Sequence, residues 1–293
     1  MTIVLYALTA LIYGGVSCLA WRERVPADNS LLMTPDSARA SFVSRPWVRS
    51  IVALALLSHG LLLHATIFPA DRMVFGFAFA LSAMLWLGVG IYWIESFFFR
   101  LDSMAVLLLP AACVATLLPA LFGGVQVLSY AADPLFKVHF LIANVAYGLL
   151  AIAALHAALM LLLGRRLQHP RASLKGESGG WLGGWLATLP PLLTMERLLF
   201  RLIGAGFLVL TATLISGALF SEQLLGRPFS LDHKTVFALL SWLMFGSLLV
   251  GRRLRGWRGK PALRWVLASF AALLLAYVGS RFVLEVLLHR PVV

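Results

Sequence analysis

Apolar stretches of about twenty residues recur along the chain, near residues 2–21, 50–68, 73–93, 103–121, 138–163, 200–220, 233–250 and 262–288. About twenty residues is what a helix needs to cross the hydrocarbon core of a bilayer, where every backbone N–H and C=O must be satisfied within the segment itself. The pattern therefore predicts an all-α fold, a polytopic transmembrane bundle of about eight helices. It forms a single integral membrane domain over 1–293, with helices one to five in 1–163, a connection over 164–199 and helices six to eight in 200–293.

Composition sharpens that picture. Of the 293 residues, 61% are hydrophobic and 12% charged, whereas a soluble domain carries roughly twice that share of charge. The apolar excess must face lipid, so membrane lipids are the first partner. A formal net charge of +12 would in a soluble chain point to nucleic acid. Here the cations sit in short runs between apolar stretches, where they act as topology signals, and no nucleic-acid partner is expected.

Basic residues at 22–49, at Arg100, at 165–201 and at 252–264 alternate with connections holding only Arg72, Lys137, Arg227, Lys234, Arg281 and Arg290, a bias of three to one. The rich set belongs in the cytoplasm, which puts both termini on the non-cytoplasmic side. The first stretch is expected to be a retained span, because its cations, Arg22 and Arg24, follow it instead of preceding it as in a secretory signal. The GVSC run ending at Cys18 likewise lacks the basic leader of a lipoprotein signal. The longest connection, 164–199, carries GGWLGGWLATLPP ahead of MERLLFRL and reads as a flexible turn leading into helix six. The outer connections, about 122–137 and 221–232, are short, so chemistry on that side must be built at helix ends.

An ionisable side chain within a span costs a few kcal/mol on insertion scales, so each one marks a function or a partner. His139 and His233 open helices five and seven, and His289 closes helix eight, all three at the outer boundary. Neutral imidazole ligates haem iron, zinc and copper and relays protons; the competing reading is an amphipathic ring resting among headgroups. His59 and His64, five apart, are separated by about 140° around a helix, which disfavours a joint metal site and leaves His59 alone to line a cavity. His156 reads as a hydrogen bond to a neighbouring helix, and His169 as a solvated loop residue. Arg281, Glu285 and His289 form one stripe of helix eight, in which Glu285 either neutralises Arg281 or fixes the His289 tautomer. Asp232 stands just ahead of helix seven, where its carboxylate can cap exposed amides. Cys18 and Cys113 form neither CxxC nor CxxCH, so a thioredoxin motif and a covalent haem attachment site are absent. There is no nucleophile with a base at workable spacing, no phosphate loop and no zinc signature, and no enzyme is expected.

The stretch MERLLFRLIGAGFLVLTATLISGALF from Met195, followed by LDHKTVFALLSWLMF, resembles the C-terminal core of the CcsA-type cytochrome c assembly proteins, closest to the inner-membrane YpjD branch, with the HemX proteins as further relatives. The resemblance covers the second half of the chain well and the first four helices in general character. It implies a multi-pass protein of a bacterial inner membrane that handles haem at the outer face, using two external histidines on either side of a tryptophan-rich loop. The first histidine belongs to a pattern of His followed eight residues later by Tyr, here His139 and Tyr147 in HFLIANVAY; the second ends the last helix, here His289. The family's Trp-x-Trp-Asp-Pro-Lys segment falls on Phe229, Ser230, Leu231, Asp232, His233 and Lys234, so Asp232 and Lys234 persist while both tryptophans and the proline are gone. An inner histidine of many members falls at about Val250. Indole faces offer a porphyrin a large apolar platform, so Phe229 and Leu231 predict weaker haem presentation, and Val250 removes a ligand for loading from the cytoplasmic side.

Three functions compete. The first is non-covalent haem binding by His139 and His289 in cytochrome c assembly, with haem-maturation or other membrane proteins as partners. His233 would add a polar contact, to a propionate, or replace one ligand, and Lys137, Lys234 and Arg290 would pair with propionates. The second is an accessory or regulatory protein of the HemX type that has kept the fold, lost haem and works through its basic cytoplasmic loops. The third, ranked lowest, is a small-molecule or ion transporter using His59, His156 and Glu95.

Overall fold

Each apolar stretch holds a helix in the computed structural model, which describes residues 2–22, 45–69, 73–99, 102–123, 133–167, 191–225, 232–279, 282, 283 and 286. In chain order the helices are α1 (Thr2–Arg22), α2 (Pro46–Ile67), α3 (Phe77–Glu95), α4 (Asp102–Leu121), α5 (Pro134–Leu167), α6 (Leu192–Leu225), α7 (His233–Arg255) and α8 (Lys260–Leu274). The last runs directly into a π-helical turn, Leu275–Gly279. Helices α1 to α7 are each long and apolar enough to cross a membrane, and the protein is a polytopic membrane bundle.

The starts follow from local chemistry. Pro46 and Pro261 stand in the first turns of α2 and α8, where a missing N–H costs nothing. Asp232 accepts the Thr235 amide at 2.9 Å and so caps α7, as its position ahead of the apolar run led one to expect. Helix α6 begins eight residues ahead of the expected 200, and MERLLFRL is its own first turns. Polar spacing hides that start from a search for apolar runs, yet Glu196 is held there by Arg252 of α7 at 3.0 Å. The GGWLGGWLATLPP turn lies, apart from Pro191, outside the described residues.

The helices close into two four-membered rings. In the first, α1 packs on α2 and α4, and α3 completes the ring between them; in the second, α5 packs on α6 and α8, with α7 opposite. The rings share a wall in which α3 lies against α5 and against the π turn. In lipid, where apolar side chains gain little by leaving the solvent, such walls depend on close backbone approach at small residues. Gly148 of α5 leaves so little room that a Cβ would stand 2.9 Å from Leu87 Cβ of α3. Gly206 of α6 is tighter still, its Cβ position 2.7 Å from Leu150 Cδ2.

The first ring has a polar centre. His59 is fully buried, its Nε2 2.9 Å from Ser82 Oγ and its Nδ1 3.4 Å from Tyr13 Oη. Thr9 donates to Ser58 beside it. α1 and α3 thus supply polar partners to both ring nitrogens of His59.

Candidate functional site

The arginine-poor end of the second ring carries His139 and His233. His139 lies in the second turn of α5, half-buried against α6, with Nδ1 2.8 Å from Ser216 Oγ. The Ser216 hydroxyl also reaches the Thr213 carbonyl at 3.1 Å; with its proton given to that carbonyl it accepts from Nδ1–H, the tautomer in which neutral imidazole ligates a metal through Nε2. Gly217 provides the seat: a Cβ there would come within 3.2 Å of His139 Cε1.

The opposite side of α5 is clamped by aromatics. Phe140 meets Phe75 edge to face at 4.8 Å between centroids and Phe68 at 6.3 Å, within a buried cluster that also takes in Phe79 and Met73. His139 is thus fixed from both sides, by hydrogen bond and glycine on α6 and by ring packing on the α2–α3 connection.

Tyr147, two turns further into α5, points elsewhere. Its hydroxyl donates to the Leu273 carbonyl of α8 at 2.8 Å, two residues before the π turn. Going from i→i+4 to i→i+5 bonding leaves a helix carbonyl in need of another donor, and the Tyr147 hydroxyl is placed to supply it. At the start of α7, Asp232 and His233 are exposed and Lys234 is half-buried. Partial burial by itself raises the Asp232 carboxyl. The Thr235 amide and hydroxyl, with the charges of Lys234 and His233, outweigh it and hold the group below its ordinary value. Phe229, His289 and Arg290 lie outside the described residues, as do Arg281, Glu285 and His169.

Packing density divides this ring into two halves. No side chain of α5 over 134–145, of α6 over 211–219 or of α7 over 233–240 is buried. Further in, Leu150 and Ala157 of α5, Leu199 and Ile203 of α6, Phe245 and Leu248 of α7 and Val266 of α8 all are. The arginine-rich half is a closed core, whereas at the half holding His139 these described side chains are all at least partly exposed.

A separate apolar groove of about 670 Å³ runs between α3, α4 and the π turn, walled by Phe77, Leu118, Phe122, Leu274 and Phe282 among others. His139 does not line this groove. His156 also departs from expectation. It is fully buried, but its Nδ1 meets the Ile152 carbonyl of its own helix at 3.0 Å instead of a neighbouring helix. That carbonyl, one turn back, is the nearest acceptor an imidazole on a helix can reach. Ser216, Gly217 and Thr213, which define the His139 environment, were not singled out in the sequence. Small and hydroxylated residues within an apolar span were the available signal.

Residues 47–288 match the protein family described as Cytochrome C assembly protein. Among curated proteins, the chain is 32% identical over 125 residues to the cytochrome c biogenesis protein CcsA of Thermosynechococcus vestitus, covering 39% of each chain. It is 30% identical over 158 residues to the inner membrane protein YpjD of Escherichia coli K12, covering 53% of this chain and 54% of that one. The CcsA of Prochlorococcus marinus strain NATL1A is 39% identical over 85 residues, 29% of this chain and 27% of that one. The chain therefore spans about half or less of the length of these relatives. No solved structure matches it.

Proposed function

The chain belongs to the cytochrome c assembly protein family, and from that premise we propose that it binds haem non-covalently at the arginine-poor end of its second ring, with His139 as an axial ligand. The observation that supports this reading is the His139–Ser216–Thr213 hydrogen-bond chain, which suits the tautomer that ligates through Nε2, at an end of the bundle where the first turns of α5 and α7 bury no side chain. The donor chemistry fits haem iron, which takes neutral imidazole. His289 is the second ligand implied by the family pattern, and Lys137 and Lys234 supply cations at the same end for propionates. When bound, haem would supply an iron centre and a tetrapyrrole to be held for cytochrome c assembly. The chain's own part is to orient the imidazole, through Ser216 and the close seat at Gly217.

The test is an absorption spectrum of the protein purified from cells making ample haem. A Soret band is expected, lost or shifted in His139→Ala and in His289→Ala; no band, or a band indifferent to both changes, removes the reading. The replacement of both family tryptophans by Phe229 and Leu231 favours a second reading, an accessory protein of the HemX type without haem. In that case deletions within 165–195 abolish function in cells while the histidine variants retain it.

A further inference from the structure

Between Arg252 and Arg264 the chain places Arg252, Arg253, Arg255, Arg258, Lys260 and Arg264 with no acidic residue among them. Arg252 is engaged, paired with Glu196 and lying 3.4 Å over the Phe200 ring. Arg253, Arg255, Arg258 and Arg264 are exposed.

The turn that carries them has a defined shape. Gly256 and Gly259 take φ of 64° and 75°, the left-handed region open to glycine. The Gly256 amide closes on the Arg252 carbonyl at 3.1 Å, ending α7 with a left-handed cap. Two indoles brace it. Trp257 lies on Gly251, where a Cβ would come within 2.9 Å of the ring, and Trp265 donates to the Met244 carbonyl at 2.9 Å. The rings meet edge to face at 6.1 Å, and each stays over a third exposed.

Tryptophan settles at the depth where acyl chains give way to headgroups, with its apolar face in and its polar edge out. A turn seated there by two indoles holds its guanidinium groups at the level of lipid phosphates, which they engage through paired N–H donors. We propose that the α7–α8 turn is a headgroup site for anionic phospholipid, formed by Arg253, Arg255, Arg258 and Arg264 around the Trp257–Trp265 pair. Charge complementarity and interfacial depth select a lipid over a soluble acidic protein: the indoles hold the cations against the bilayer. The inference stands apart from the haem reading, since it uses the opposite end of the bundle.

The full-length protein is reconstituted in phosphatidylcholine vesicles containing a small fraction of phosphatidylglycerol with brominated acyl chains, and tryptophan quenching is compared with that by brominated phosphatidylcholine at the same fraction. The contribution of the two indoles is isolated by difference from a Trp257→Phe/Trp265→Phe variant. Quenching by the anionic lipid is expected to exceed that by the zwitterionic lipid several-fold. The excess vanishes when the four arginines are changed to Gln and survives in the matching Lys variant, and inorganic phosphate does not displace it. Equal quenching by both lipids, or an excess that outlasts the Gln changes, overturns the proposal. Displacement of the lipid by soluble polyglutamate would also overturn it, assigning the patch to an acidic protein.

Discussion

Removing the Ser216 hydroxyl takes away the partner of His139 Nδ1, the group that links the ring to the Thr213 carbonyl. Residues that orient a metal-ligating histidine typically contribute 10–100-fold to affinity. Ser216→Ala is therefore expected to weaken haem retention by about 10-fold or more, while leaving the unliganded fold in place, as checked by haem titration beside a thermal melt. Equal affinity in the two proteins would show that the relay does not set the ligand state. At Asp232 the lowered carboxyl links the α7 cap to pH. The stability it contributes is present above the ordinary carboxylate value and is lost as pH falls through the lower folded one. Asp232→Ala should cost about 1 kcal/mol near neutral pH and little in strong acid, whereas Asp232→Asn, which still accepts the Thr235 amide, keeps most of it. At this scale the sequence exposed chemistry and concealed geometry. His139 and Asp232 are conspicuous because a polar group at a span's edge is costly. Ser216 is not, because a serine within a helix can satisfy its own hydroxyl on a carbonyl one turn back, and nothing in the linear pattern shows that it also serves a histidine 77 residues away.

Helix contacts are governed by glycine at two walls. Gly206 cannot carry a side chain without moving Leu150, whose Cγ and Cδ2 would lie 2.8 and 2.7 Å from the new Cβ. Gly204, two residues earlier on the same helix, has nothing within 4 Å. Gly206→Ala is accordingly expected to lower stability by about 1–3 kcal/mol through overpacking, whereas Gly204→Ala should raise it by up to ~1 kcal/mol through helix propensity. Melting of the two variants in one detergent decides the matter, and a shared sign would count against the packing account. The helices themselves were legible as runs of bilayer length. Their ends were not: α5 and α6 each run for 34 residues, about 50 Å at 1.5 Å per residue, well beyond the core that an apolar ruler measures. The first turns of α6 fall outside the apolar run because Glu196 and Arg197 interrupt it, although MERLLFRL was legible as the start of a helix and Glu196 and Arg252 serve there as a clasp between helices.

For the molecule as a whole, the arrangement of the helices was the least visible feature. A span that is apolar on every side carries no stripe to name its neighbour, so the closing of eight helices into two rings with a shared wall had no signature in the chain. The direction of the bundle did, through arginine and lysine. In a background with Cys18 and Cys113 changed to Ser, a cysteine at residue 233 should react with an impermeant maleimide in intact cells, and one at residue 258 only after permeabilisation. The reverse pattern would turn the bundle over and move the haem reading to the cytoplasm.

The π turn at the end of α8 amounts to one surplus residue wound into a helix. Straightening it would act like a single click of a screw: Phe282 would turn by about 100° and slide by about 1.5 Å. Phe282, now edge to face with Phe77 at 5.3 Å, would leave its partner. A stretch able to re-aim its side chains so cheaply needs a pawl, and Tyr147, bonded to the last turn before the surplus, stands where one would engage.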